Sequence, residues 1–210
     1  MHEANRPELL SLLDEHPHWL VLDVGGGEQP LMRADWEVDL LSWDDSGNRQ
    51  GIIGDFNTRH ISEKQWIQMD ICGAPLPFPA KHFDFVVCSN VLEDVRDPVH
   101  VVKEINRVGK RGYFEYPRPW QEMIEGVDER NPGRRGYWHH RWMIDYDGRS
   151  LNVLPKHPII DGLELPPREG QPIGFEPVYW HNYITARELF VGEPEEYTKK
   201  LREFLKIEPS

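Results

Sequence analysis

Cysteine is nearly missing from this chain. Cys72 and Cys88 are the whole supply. That excludes a disulfide-stapled scaffold and fits a reducing compartment, with both thiols read as small buried hydrophobes. Long apolar runs are also missing. Stretches such as Trp19 to Val24 fall far short of the ~20 residues of a membrane helix. Positive charge is scarce, with 24 Lys and Arg against 36 Asp and Glu and a formal net charge of −12. Such a surface repels phosphate backbones and anionic lipid, so general nucleic-acid or membrane-surface binding is disfavoured. Residues Met1 to Arg6 lack the basic-then-apolar layout of a secretory leader, so a cytoplasmic location is expected. Repeats and low-complexity tracts are absent. With 39% hydrophobic and 29% charged residues, collagen-like and globally disordered classes are excluded.

What is present is an alternation of short apolar runs and polar segments over the first half of the 210 residues, the pattern of α/β units. Pro7 to Glu15 predicts a short amphipathic helix. Strands are expected over Trp19–Val24, Trp36–Leu40, Trp66–Ile71, Phe83–Ser89 and Gly112–Tyr116, with residues 42–65 mostly loop. Asp97-Pro98 reads as an N-cap followed by a first-turn proline, opening a helix that stops near Gly109. Beyond Pro117 the pattern weakens. Trp142–Asp145, Asp147-Gly148 and Leu151–Leu154 predict a hairpin, residues 155–174 extended loop, Pro177–Ile184 a strand and Glu193–Leu205 a helix. The expected architecture is one α/β domain with a Rossmann-like open, mostly parallel sheet flanked by helices. Residues 1–116 form its cofactor-binding core, 117–176 a substrate-side insertion with the hairpin, and 177–210 a C-terminal strand and helix.

Chemistry-bearing positions recur at the ends of successive expected strands: Asp23 with Gly25, Gly26 and Gly27; Asp39; Asp70 with Ile71; Ser89 with Asn90. In an open α/β sheet, ligands bind outside the carboxyl ends of the strands, so the four sets converge on one crevice. Glycines let the backbone turn sharply and approach a ligand. A carboxylate at the end of the second strand can accept hydrogen bonds from both ribose hydroxyls. A purely structural turn explains the glycine triplet alone equally well; the joint pattern is more specific.

With Asp70 and the stretch PLPFPAKHFDFVVCSNVLEDVRDP in place, the chain from Trp19 to Tyr116 resembles the class I S-adenosylmethionine-dependent methyltransferases, in particular the type 11 group. The resemblance implies S-adenosylmethionine as cofactor. Asp23, Gly25 and Gly27 would form the loop beneath its methionine part, with Gly26 between them. Asp39 would hold the ribose, Asp70 would meet the adenine amino group beside Ile71, and Ser89 and Asn90 would line the cofactor near the sulfur. The chain departs from the family pattern in three places. Gln29-Pro30 replaces the third loop glycine, the segment from Gly27 to Trp36 is too short for a full crossover helix, and Leu92-Glu93-Asp94 stands for a frequent Leu-Glu-His. A nicotinamide dehydrogenase is the rival for this fold, but a pyrophosphate would lack its helix N-terminus here.

The acceptor side is expected after the fourth and fifth strands. Residues 130–142, RNPGRRGYWHHRW, hold four arginines, two histidines, three aromatics and no acid. Arginine forks suit carboxylate or phosphate, and imidazole titrates near neutrality. The expected acceptor wall is Tyr116, Arg134, Arg135, Tyr137, Arg141 and Trp142, with Glu115, His139 and His140 as catalytic candidates. Adjacent side chains of an extended segment alternate faces, so only one of the two histidines should face the pocket. The bland alternative is a solvated loop whose arginines pair with surface acids. No metal is assigned. A set built from His139, His140, Asp145 and His157 is conceivable, but compact zinc-type spacing is lacking. The expected partner is a small, anionic or sugar-like acceptor. The alternatives are a non-catalytic cofactor- or partner-binding module and an RNA- or nucleotide-directed enzyme.

Overall fold

The computed structural model describes residues 1–27, 30–31, 33–45, 61–167 and 169–207. In chain order the strands are β1 (Val21–Val24), β2 (Trp36–Asp39), β3 (Trp66–Gln68), β4 (Phe85–Ser89), β5 (Arg111–Pro117), β6 (Trp142–Tyr146), β7 (Ser150–Pro155), β8 (Phe175–His181) and β9 (Thr185–Glu188). The helices are α1 (Arg6–Asp14), α2 (Pro98–Val108) and α3 (Pro194–Phe204). The main sheet has the order β3-β2-β1-β4-β5-β8. Its first five strands are parallel, and β8 closes the edge antiparallel to β5. Chain order reverses between β1 and β4, which opens a crevice at their carboxyl ends.

Side-chain alternation assigns the two faces of this sheet. Leu22, Val24, Val38, Val86, Cys88 and Phe114 pack with Val101, Val102, Ile105 and Val108 of α2. Val21, Phe85, Val87 and Tyr113 pack with Leu9 and Leu13 of α1. Both faces are covered, so the strands read as continuous apolar runs. Each fully buried aliphatic side chain contributes roughly 1.5–3 kcal/mol of transfer free energy. Asp97 caps α2, its Oδ1 accepting from His100 N at 2.8 Å. Lys81 Nζ closes the other end by donating to the carbonyls of Asn106 and Gly109 at 2.9 and 2.8 Å.

A second, three-stranded sheet, β6-β7-β9, carries the hairpin. Asp147 shapes its turn, Oδ1 accepting from the Arg149 and Ser150 amides. Ile144 and Leu151 face the main core. Met143 and Leu154 face a second core with Trp120, Met123 and Ile160, completed by Tyr197, Leu201 and Phe204 of α3.

The expected elements form with shifted ends: β1 to β4 are shorter than expected and β5, β6 and β7 longer, and Trp180 is buried in the core with His181 exposed beside it. Three expectations change. The strand expected over 177–184 starts at Phe175 and ends at His181, and β9 follows it unforeseen: its sequence, TARE, has no apolar alternation, and its parallel pairing with β7 supplies the order. Cys72 is not buried; it is partly exposed, whereas Cys88 is buried. Between β1 and β2 no helix occurs among the described residues; Gln29 lies outside them, as do residues 46–60 of the expected loop. No described helix is long and apolar enough to cross a membrane.

Candidate functional site

Strand register sets the first part of the site. Asp23 of β1 lies opposite Glu37 of β2, both buried. The loop after β1 turns over this pair. Gly25 has φ +77°, and a Cβ there would lie 2.4 Å from Val91 Cγ2. A Cβ on Gly26 would meet Asp23 Oδ2 at 2.5 Å and Glu37 Oε2 at 2.8 Å. Glycine is therefore required by conformation at the first position and by space at the second. Gly26 N donates to Glu37 Oε1 at 2.7 Å, and Leu31 N to Asp23 Oδ2 at 2.7 Å. Burial pushes the Asp23 carboxyl up to about 6. Burial, followed by the charges of Asp23 and Asp39, holds Glu37 well above the carboxylate range. Each carboxyl therefore disfavours ionisation of the other. Glu37 was not singled out from sequence. The available signal was its position two residues before Asp39, on the same face of a strand.

A cavity of about 950 Å³ opens at the carboxyl ends of β1, β2 and β4. Gly25, Gly26 and Gly27 form its floor, and Asp39, Asp70, Ile71, Ser89 and Asn90 also line it. Asp39 Oδ1 accepts from Leu41 N at 2.7 Å, and its Oδ2 lies 3.4 Å from where a Cβ on Gly27 would sit. Leu40, 69% exposed, lines the cavity together with the apolar side chains of Met69 and Ile71. Asp70 Oδ1 accepts from Cys72 N, and its Oδ2 pairs with Arg96 at 3.4 Å. Asn90 sits at φ +56°, its N donating to Glu115 O and its Oδ1 buried without a partner.

Asp23 does not line the cavity; it lies beneath the loop, pinning the chain's return at Leu31. Glu115 also lies below, fully buried. It accepts from Ser89 Oγ at 2.8 Å, Tyr113 OH at 2.7 Å, Asn5 Nδ2 at 2.8 Å and His2 N at 2.5 Å. With four donors on its oxygens it has no capacity left as a base, which corrects its catalytic assignment. It ties down the N-terminal segment, and Met1, His2, Glu3 and Arg6 cover one side of the cavity, a contribution the sequence did not signal.

The expected acceptor wall is largely dispersed. Arg134 pairs with Asp161 at 3.0 Å. Arg135 donates to the carbonyls of Ile160 and Leu163. Trp142 Nε1 donates to Val95 O, and Tyr137 OH accepts from Gln121. Tyr116 is buried with its hydroxyl unpartnered. None of these five lines the cavity. For Arg134 and Arg135 the solvated-loop alternative describes what is found. Arg141 does line it, exposed and without an ion pair among the described residues.

His139 lines the cavity as well, and His140 stands behind it. The two rings are 4.5 Å apart at 76°. They gather on one side because residues 137–140 form a turn, His140 N donating to Tyr137 O, so the alternation of an extended chain does not apply. His140 Nδ1 is 2.7 Å from Glu122 Oε1, and Glu122 Oε2 accepts from Lys156 Nζ at 2.6 Å. These partners hold Glu122 below its ordinary range against the opposing effect of burial. Burial, then His140 and Arg130, brings His139 down to about 4. Asp94, noted from sequence only as a departure, also lines the cavity. Asp145 and His157 lie elsewhere, bonded to Lys206 and Ile159 N.

A crevice at the switch point, outside the carboxyl ends of the strands, is where open α/β sheets bind their ligands. Residues 45–114, about a third of the chain, match a family described as a methyltransferase domain. It is 32% identical to a demethylmenaquinone methyltransferase of Bacillus cereus (strain B4264), the match covering 53% of this chain and 48% of the relative. The same figures hold for the Bacillus anthracis (strain A0248) protein of that name. The chain thus spans about half the length of these relatives. Among solved structures, an S-adenosylmethionine-dependent methyltransferase from Mesorhizobium loti aligns at 20% identity and a TM-score of 0.42, covering 73% of this chain and 64% of that one.

S-adenosylmethionine, the cofactor that the resemblance implies, fits what the crevice offers. The volume lies within the range of small-molecule sites. Asp39 offers acceptors, Leu40 and Ile71 an apolar cleft, and the buried Asn90 Oδ1 an unmet acceptor for an ammonium group. Pyrophosphate has no counterpart here, since no helix follows β1 among the described residues.

Proposed function

We propose that this protein catalyses methyl transfer from S-adenosylmethionine to a small, anionic or sugar-like acceptor in the cytoplasm. The observation that carries the reading is the one cavity shared by the Gly25–Gly27 turn, Asp39, Asn90, His139 and Arg141. The cofactor supplies a methyl group on a sulfonium, ready for in-line displacement, and the protein supplies alignment and exclusion of water. Asp39 binds the ribose hydroxyls. Leu40 and Ile71 sandwich the adenine, with Asp70 at its edge. Gly25, Gly26 and Gly27 allow close approach of the methionine part, and Asn90 Oδ1 accepts from its ammonium group. Asp23 and Glu37 hold that turn from below.

The acceptor enters past Arg141, whose guanidinium has no ion pair among the described residues and suits a carboxylate or phosphate. Of the groups read as catalytic, His139 alone lines the cavity, and we assign it to contact the acceptor. Met1 to Glu3 and Arg6 exclude water on one side.

Calorimetry with S-adenosylmethionine, its demethylated product and NAD tests the reading. Both sulfur compounds should bind and NAD should not; binding of NAD alone overturns it. Release of the demethylated product against pooled metabolites separates an enzyme from a non-catalytic binding module. A Kd for RNA that climbs steeply with salt would favour a nucleic-acid acceptor instead.

A further inference from the structure

We propose that Asp94, His139 and His140 bind one divalent first-row transition-metal ion at the mouth of the cavity. Each offers a ligand atom, and all three atoms lie within 4.8 Å of one another, with His139 Nε2 3.9 Å from Asp94 Oδ2. Ligands held about 2.1 Å from a common ion stand roughly 3.4 Å apart in tetrahedral geometry. The set is closed by side-chain adjustments of about an ångström, within the reach of rotation about χ1 and χ2.

Two further observations point to an ion. Asp94 Oδ1 is buried from water and has no hydrogen-bond partner. Each imidazole also has a carboxylate behind its Nδ1. His140 Nδ1 lies 2.7 Å from Glu122 Oε1, and His139 Nδ1 lies 3.9 Å from Asp128 Oδ2. A carboxylate behind Nδ1 fixes the tautomer that leaves Nε2 free for a metal. At His140 this arrangement is complete. At His139 the nitrogen now meets Arg130 Nη2 at 3.2 Å, and that guanidinium is itself held by Asp128. Ligation would move the ring proton to Nδ1, with Asp128 as its acceptor.

Asp94, Glu122 and Asp128 offset Arg130, Arg141 and Lys156, so the surroundings are close to neutral before an ion enters. Two imidazoles and one carboxylate favour zinc, manganese, iron or cobalt over magnesium or calcium. Three protein ligands leave coordination positions open, and Asp94 and His139 both line the cavity. In the methyl-transfer reading, on which this last step rests, an acceptor oxygen occupies an open position beside Arg141. Metal binding itself does not depend on that reading.

The test uses the full chain freed of metal by chelator. Co2+ is titrated by calorimetry and by its visible absorption. One equivalent should bind tighter than about 10 µM, with the absorption of a nitrogen- and oxygen-ligated site. Asp94→Asn, nearly isosteric, and His140→Ala should each weaken binding by at least roughly 100-fold, while His157→Ala, outside the cluster, should not. Far-UV circular dichroism confirms that each variant is folded. Absence of Co2+ binding to the wild type, or equal binding by folded Asp94→Asn, overturns the site. S-adenosylmethionine is titrated into the same preparations. Cofactor binding without Co2+ binding rejects the metal site alone; the reverse rejects the methyl-transfer reading and leaves the metal site standing.

Discussion

On the sheet side of the cavity, Asp23 and Glu37 are buried side by side and held by each other and by backbone amides. On the insertion side, Glu122 is as deeply buried but bonded to Lys156 and His140, and Asp128 is bonded to Arg130. The consequences are opposite in sign. Asp23 is pushed up to about 6 and Glu37 is raised too, whereas Asp128 is held at about 2 and Glu122 is lowered. Regular strands can fix acids through the main chain alone, without regard to charge. A segment with little regular structure, such as residues 124–141, needs ion pairs to hold its shape. The first wall accepts strained protonation states to support a binding turn, and the second matches charges to stay folded.

The sharpest way to break this comparison is to remove one partner from the matched wall. Glu122→Ala leaves Lys156 buried beside an empty position and should cost about 3–5 kcal/mol, the range for breaking a buried ion pair. Urea unfolding at pH 7.5 reads it. The opposite wall predicts a contrasting result. Glu37→Gln replaces a carboxyl whose charged form burial disfavours with a neutral amide of the same shape, so its loss should be well under half as large. Equal costs would erase the distinction.

Next comes pH. Asp23 titrates higher in the folded protein, at about 6, than in the unfolded chain, at about 3.9. The folded form therefore holds the proton more tightly. Asp23's favourable contribution is full below about pH 4 and is lost as pH rises through 6. Two units correspond to about 3 kcal/mol. Stability of the ligand-free protein should fall over that window, and Asp23→Asn should flatten the fall. Asp128 acts with the other sign, its contribution being present above about pH 4 and lost as pH falls toward 2. A wild-type profile that rises between pH 4 and 6.5, with no change in Asp23→Asn, would contradict the assignment.

Asp39→Ala follows in size. Removing a charged acceptor for two hydroxyl donors should weaken S-adenosylmethionine binding by roughly 30- to 100-fold, about 2–3 kcal/mol. Calorimetry reads it, and unchanged affinity rejects the ribose assignment.

The same contrast explains what could be read from sequence. Strand ends are legible because a short apolar run fixes direction, face and terminus together. Asp39, Asp70 and the Ser89-Asn90 pair could therefore be placed in one crevice before any coordinates. Asp23 was placed there too, but it lies under the turn, because a strand residue's side is decided by which neighbour fills the space. On the insertion side no periodicity links position to direction. The arginine-rich composition suggested an anion wall, but Arg134 and Arg135 have their partners at Asp161 and at the carbonyls of Ile160 and Leu163, 25 or more residues away. His139 and His140 share a side only because Tyr137 to His140 turns back on itself. Asp94 gains its place from an insertion that folds back more than forty residues later.

Arg134 offers the smallest and most selective of these effects. Its ion pair with Asp161 is short at 3.0 Å, but the arginine side chain is 54% exposed. Exposed pairs contribute about 0–1 kcal/mol because water and salt screen them. Arg134→Ala should therefore cost less than about 1 kcal/mol in urea unfolding, and that cost should shrink further in ~1 M salt. Cofactor affinity and acceptor KM should not change. Arg141→Ala, by contrast, alters an exposed guanidinium with no ion pair among the described residues, so it should leave stability nearly untouched and raise KM for an anionic acceptor. If Arg134→Ala raised that KM and Arg141→Ala did not, the acceptor would approach from the Asp161 side, and the cavity mouth would have to be redrawn around the second core.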